Sequence, residues 1–215
     1  MAVSTPAPMS ALEIMRDAPV IPVIVLQKVE HAAPMARALV DGGIRMLEVT
    51  LRTPVALAAI RAIAREVPQA VVGAGTVRSA EDALAAQQAG ARFAVSPGYT
   101  STLGRACQKL ALPLLPGVAT GGEIMTAVED GYTELKFFPA MQAGGCAMLK
   151  AWSGPFFDVR FCPTGGITPT NAPEFLALPN VVCVGGSWLV PTDALEQGDW
   201  SRITALAQAA RTLRR

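Results

Sequence analysis

Residues 46–74 read MLEVTLRTPVALAAIRAIAREVPQAVVGA. A short apolar run, Met46–Thr50, is interrupted only by Glu48. A turn follows, then an alanine-rich amphipathic segment, Pro54–Glu66, and then a second apolar run, Val71–Ala74. Strand, helix, strand is the expected order, since continuous apolar runs bounded by turns suit parallel strands covered by helices.

The same cadence runs outward in both directions. Strands are expected at Val20–Leu26, Met46–Thr50, Val71–Ala74, Phe93–Ser96, Leu114–Pro116, Glu134–Phe138, Val159–Cys162 and Val181–Val184. Helices are expected at His31–Asp41, Pro54–Glu66, Ala80–Ala89, Thr100–Leu110, Gly122–Asp130, Gly145–Trp152, Asn171–Leu178 and Trp200–Arg214. Gly42, Gly90 and Gly131 stand where left-handed caps would end helices. About eight strand–helix units in one chain predict an α/β fold, a single (β/α)8 TIM barrel. One domain spans residues 1–215, with a short N-terminal extension at about 1–18. The competing open doubly wound sheet would carry GxGxxG after an early strand. Gly73-Ala74-Gly75-Thr76-Val77-Arg78 follows the third strand and lacks the third glycine, so it is read as a chance match.

The 215 residues are 51% hydrophobic and 16% charged, so much of the chain must be packed inside. A net charge of +1 offers no basic field for nucleic acid. No apolar run approaches the roughly 18–20 residues of a membrane span, and Met1 to Ser10 lacks a basic start followed by an apolar stretch. Cys107, Cys146, Cys162 and Cys183 show no CxxC spacing, and Cys162 and Cys183 read as buried thiols. A cytoplasmic location is the expectation. His31 is the only histidine, which argues against a histidine-rich zinc site or a Ser-His-Asp triad. Its position at the start of a helix makes it an expected surface residue.

The chain has four lysines, and Lys136 alone lies inside an apolar strand, in Glu134-Leu135-Lys136-Phe137-Phe138-Pro139-Ala140. Desolvation disfavours the charged form of an amine, and a neutral amine is a nucleophile toward a carbonyl. Side chains alternate between the interior and the helix layer along a barrel strand. Glu134, Lys136 and Phe138 share one parity, as do Met46, Glu48 and Thr50, with Arg52 beyond the strand end. Glu48 and Lys136 are therefore expected inside, near the C-terminal strand ends where barrels keep their chemistry. A carboxylate there is either the amine's structural ion partner or a general acid/base beside it. Arg52 would stand at the mouth, where its planar fork suits a carboxylate. Glycine-rich turns, Pro163-Thr164-Gly165-Gly166-Ile167-Thr168-Pro169 and Val184-Gly185-Gly186-Ser187-Trp188, follow the last two expected strands, a usual place for phosphate in barrels.

Several segments, in this order and spacing, resemble one family: Val20-Ile21-Pro22-Val23-Ile24-Val25, Leu47 to Thr53, Val72-Gly73-Ala74-Gly75-Thr76, Ser96-Pro97-Gly98, Leu135 to Ala140, Arg160 to Ile167 and Gly185 to Pro191. The chain is similar to the bacterial 2-keto-3-deoxy-6-phosphogluconate (KDPG) aldolases, also active as 4-hydroxy-2-oxoglutarate (KHG) aldolases. The resemblance implies a class I aldolase, a carbon–carbon lyase that needs no metal and no cofactor and assembles as a homotrimer. It implies Lys136 as the Schiff-base lysine and Glu48 as the general acid/base. By the same resemblance, Arg52 and Thr76 hold the pyruvyl carboxylate, Pro97, Phe138 and Thr164 line the pocket, and Gly165, Gly166, Gly186 and Ser187 form the phosphate end. Met141 replaces an expected acidic residue, and Ala119 an expected serine. Both departures bear on substrate preference rather than reaction type. A phosphosugar epimerase or isomerase on the same barrel, with Glu48 as base, and a non-catalytic phosphosugar-binding barrel are the rival readings.

Overall fold

The structure, a computed structural model, describes residues 9–213. Helix α1 (Ala11–Arg16) is closed by a reciprocal capping box between Ser10 and Glu13. Strand β1 (Val20–Ile24) leads through a 3-10 turn (Val29–His31) to α2 (Ala32–Asp41), and then come β2 (Met46–Thr50), α3 (Ala56–Glu66), β3 (Val71–Gly75) and α4 (Ala80–Gln88). Strand β4 (Ala94–Val95), α5 (Ser101–Lys109), β5 (Leu114–Leu115), β6 (Gly117–Val118) and α6 (Gly121–Glu129) follow. The chain continues through β7 (Glu134–Phe137), α7 (Gly145–Trp152), β8 (Arg160–Pro163), α8 (Ala172–Leu176), β9 (Val184–Gly186), α9 (Thr192–Gln197) and α10 (Trp200–Arg211).

All strand pairs are parallel. One sheet runs β5-β4-β3-β2-β1-β9 and a second runs β6-β7-β8. Single bridges, Phe161 to Val181 and Thr164 to Gly185, join β8 to the chain of β9. The expected closed (β/α)8 ladder is not continuous, and the break has a local cause. The fifth expected strand divides at Pro116, which has no N–H to donate. Leu114 and Leu115 pair with β4, and Gly117 and Val118, beyond the expected Leu114–Pro116, pair with β7.

The alternation expected of the strands holds. Leu47, Val49, Val72, Leu135, Phe137 and Phe161 pack into the layer between strands and helices. Ile21, Met46, Val95, Leu115 and Cys162 point the other way, into a cluster that draws on both sheets. Ile14 and Met15 of α1 join that inner cluster. The sequence reading placed no element before Val20. It also missed α9, a short helix ended by Gly198 in the left-handed region.

Two glycine expectations change. Gly43, not Gly42, takes the left-handed conformation after α2. Gly42 instead leaves room for α10, since a Cβ there would meet Ala207 Cβ at 2.4 Å. The last strand is displaced from Val181–Val184 to Val184–Gly186, because Gly185 and Gly186 pair with Ile21 and Pro22. His31 is half-buried rather than a surface residue, its ring edge-on to Trp200 at 5.8 Å. The four cysteines are free thiols. Among the described residues, no helix is long and apolar enough to cross a membrane.

Candidate active site

Glu48 is the third residue of β2 and Lys136 the third residue of β7. Glu48 lies opposite Val23 and Gly73, and Lys136 opposite Gly117 and Cys162. Their neighbours in sequence, Leu47, Val49, Leu135 and Phe137, are drawn into the helix-facing layer. The two polar side chains are thereby forced inward. There Lys136 Nζ donates to Glu48 Oε1 at 3.3 Å. The side chains are only 5% and 4% exposed, which makes this a desolvated pair. Lys28, Lys109 and Lys150 are all exposed. The Lys136 ammonium position also lies 5.2 Å from the centre of the Phe138 ring, within cation–π range.

Most of the remaining inner polar groups are anchored to backbone. Thr50 Oγ1 donates to the Ile24 carbonyl at 2.9 Å. Buried Ser96 accepts from the Gly117 N–H at 3.3 Å. Gly117 itself sits against the Pro97 carbonyl group, where a Cβ would come within 2.5 Å of the oxygen. Ser96 was not singled out from the sequence. The signal was present, since a serine between Val95 and Pro97 at a strand end needs a hydrogen-bond partner.

At the strand ends, exposed Arg52 donates from Nε to Thr76 Oγ1 at 3.1 Å. Thr76 holds φ at 58°, an uncommon conformation for a β-branched residue. The hydrogen bond joins the loops after β2 and β3 and leaves the terminal guanidinium nitrogens of Arg52 for an anion.

Across the site, the segment after β7 is zipped to the segment after β8. Ala140 N–H donates to the Thr164 carbonyl at 2.8 Å, and Met141 N–H donates to the Gly165 carbonyl at 3.2 Å. Gly165 and Gly166 have φ of 103° and 73°, a conformation that favours glycine. Phe138 packs against Gly165, and Met141 crosses Gly166. Thr164 bridges to Gly185, where a Cβ would fall 2.2 Å from Thr164 Oγ1. Gly186 lies under the Trp188 ring, with a Cβ position 2.0 Å from it. Gly186 therefore belongs to a strand covered by an indole, while Ser187 beyond it is exposed. The structure thus brings together Glu48 with Lys136, Arg52 with Thr76, and the Gly165–Gly166 and Gly185–Ser187 segments. Among the described residues no group of three His, Cys, Asp or Glu side chains could hold a metal ion.

The chain is similar to known proteins over most of its length. The family model for KDPG and KHG aldolase matches residues 12–206. The KHG/KDPG aldolase of Escherichia coli K12 is 56% identical over 201 residues, covering 94% of each chain. A KDPG aldolase from Legionella pneumophila, solved with pyruvate captured as a covalent carbinolamine, superposes with a TM-score of 0.93 at 50% identity, over 95% of this chain and 99% of that one. The Zymomonas mobilis enzyme, solved with 3-phosphoglycerate, gives a TM-score of 0.91 at 50% identity, over 97% and 98%. The chain belongs to the KDPG and KHG aldolase family.

Proposed function

We propose that this Schiff-base aldolase cleaves 2-keto-3-deoxy-6-phosphogluconate to pyruvate and glyceraldehyde 3-phosphate, and 4-hydroxy-2-oxoglutarate to pyruvate and glyoxylate. Lys136 forms the imine, and Glu48 is the general acid and base. The observation that carries the reading is the buried contact between Lys136 Nζ and Glu48 Oε1 at 3.3 Å. The covalent pyruvate adduct of the Legionella relative supports it.

The steps follow from that pair. Glu48 takes a proton from the Lys136 ammonium, the freed amine adds to the C2 ketone, and Glu48 passes protons on to the ketone oxygen so that it can leave as water. Loss of water from the carbinolamine gives a protonated imine, which is an electron sink. Glu48 takes the C4 hydroxyl proton as the C3–C4 bond breaks, and the bonding pair moves toward the imine nitrogen to give an enamine. The aldehyde departs. Protonation at C3 by Glu48 and addition of water release pyruvate and restore the amine. Every step uses the chain's own groups, so no metal or cofactor is assigned.

Arg52 and Thr76 fix the substrate carboxylate, and that positioning supplies several kcal/mol of the barrier. Pro97, Phe138 and Thr164 line the pocket. Gly165, Gly166, Gly186 and Ser187 receive the phosphate, a role supported by the adjacency of the two glycine segments. The two parallel sheets are read as arcs of one (β/α)8 barrel in a single domain. The bridges from β8 to β9 and the shared inner cluster support this. A homotrimer belongs to the same proposal. Met125 and Phe157, 57% and 75% exposed, leave apolar surface for a neighbouring copy to cover. Free buried thiols fit a cytoplasmic setting.

A pyruvate-release assay on both substrates side by side tests the function. Pyruvate should appear stoichiometrically with the aldehyde. Interconversion of phosphosugars without pyruvate would favour the epimerase reading and overturn this one.

A further inference from the structure

We propose that Gly75 is a positioning residue for the reaction, because its missing side chain leaves the recess from which the Glu48 carboxylate reaches Lys136. The inference rests on Glu48 as the proton-transferring group. Gly73, Ala74 and Gly75 follow strand alternation. Ala74 faces the helix layer, and the two glycines face inward. A Cβ at Gly73 would meet the Phe93 ring at 2.4 Å. A Cβ at Gly75 would lie 2.2 Å from Glu48 Oε1, 2.6 Å from its Cγ and 2.8 Å from its Cδ. Oε1 is the oxygen that faces Lys136 Nζ. The glycine-x-glycine spacing is thus two inner recesses, one filled by an aromatic ring and one by the carboxylate.

The backbone does not demand glycine at position 75, since Gly75 is not among the residues with positive φ. Space alone excludes a side chain. Ordinary contacts of a Cβ begin at 3.4 Å, so an added methyl drives Oε1 back by about 1 Å. Catalytic groups misplaced by that distance lose about 100-fold in rate.

The test is a cycle of Gly75→Ala, Glu48→Ala and the double variant, read by kcat, KM and thermal melting. Gly75→Ala should lower kcat about 100-fold with a much smaller change in KM. Added to Glu48→Ala, which empties the recess, it should change residual kcat by no more than about twofold. Melting should fall with Gly75→Ala only when Glu48 is present. A wild-type rate for Gly75→Ala, or equal losses of rate and melting temperature in both backgrounds, would overturn the proposal. Full activity in Glu48→Ala would instead refute the acid/base assignment, and the melting comparison would still decide whether Gly75 houses the carboxylate.

Discussion

Replacing Lys136 by Met removes one charge from a pair that water barely reaches. At the observed 3.3 Å, and with an effective dielectric of about 20, the attraction lost is about 5 kcal/mol. The wild-type pair does not gain that amount net, because desolvation of both groups offsets most of it. The variant, however, leaves the Glu48 carboxylate buried without its counter-ion. Stranding one member of such a pair costs about 3–5 kcal/mol. With a urea slope of about 2 kcal/mol per molar, the unfolding midpoint should drop by about 2 M. The double variant Lys136→Met/Glu48→Met restores a neutral, filled interior and should recover to within about 1 kcal/mol of wild type. Urea unfolding of all three proteins at one protein concentration measures the series. A single variant as stable as wild type would show that the charges are not confined by the protein interior. A double variant no more stable than the single would place the loss in packing rather than in the stranded carboxylate.

Other consequences are as specific. Arg52→Ala should raise KM for both keto acids by about 10–100-fold, the worth of a hydrogen bond to a charged group, and Arg52→Lys should restore little because the planar fork is lost; initial-rate kinetics decide. Burial pushes the Cys107 thiol up to about 11. Its folded form holds the proton more tightly than the unfolded chain, so the associated stability is complete below the thiol's ordinary range and is lost as pH rises toward 11. Urea midpoints at pH 8 and pH 10.5 should therefore fall further in wild type than in Cys107→Ala.

Much of this site was legible because strand alternation is a strict rule. Once Leu47 and Val49 were given to the helix layer, Glu48 had to point inward, and Leu135 and Phe137 imposed the same on Lys136. Their meeting across the interior followed from expecting a barrel. What stayed hidden depended on contacts between distant segments. Gly75 had no role beyond a chance match to a nucleotide motif and a place in a family-like segment, because nothing nearby in sequence shows that Glu48 occupies its empty side-chain position. Gly185 and Gly186 read as turn residues, yet pairing with Ile21 and Pro22 draws them into a strand. Pro116 read as a strand end, whereas the chain continues past it to pair with the opposite sheet. Helix α1 was invisible as an element, since its six residues are too few for a clear period. Its worth lies in Ile14 and Met15, which fill the inner cluster.

The most direct measurement is mass spectrometry of the protein reduced with borohydride in the presence of pyruvate. The account predicts one pyruvate-derived adduct per chain, carried on the peptide containing Lys136 and absent from Lys136→Met. An active enzyme whose reduced adduct lies on Lys28, Lys109 or Lys150, or which forms none, would contradict it.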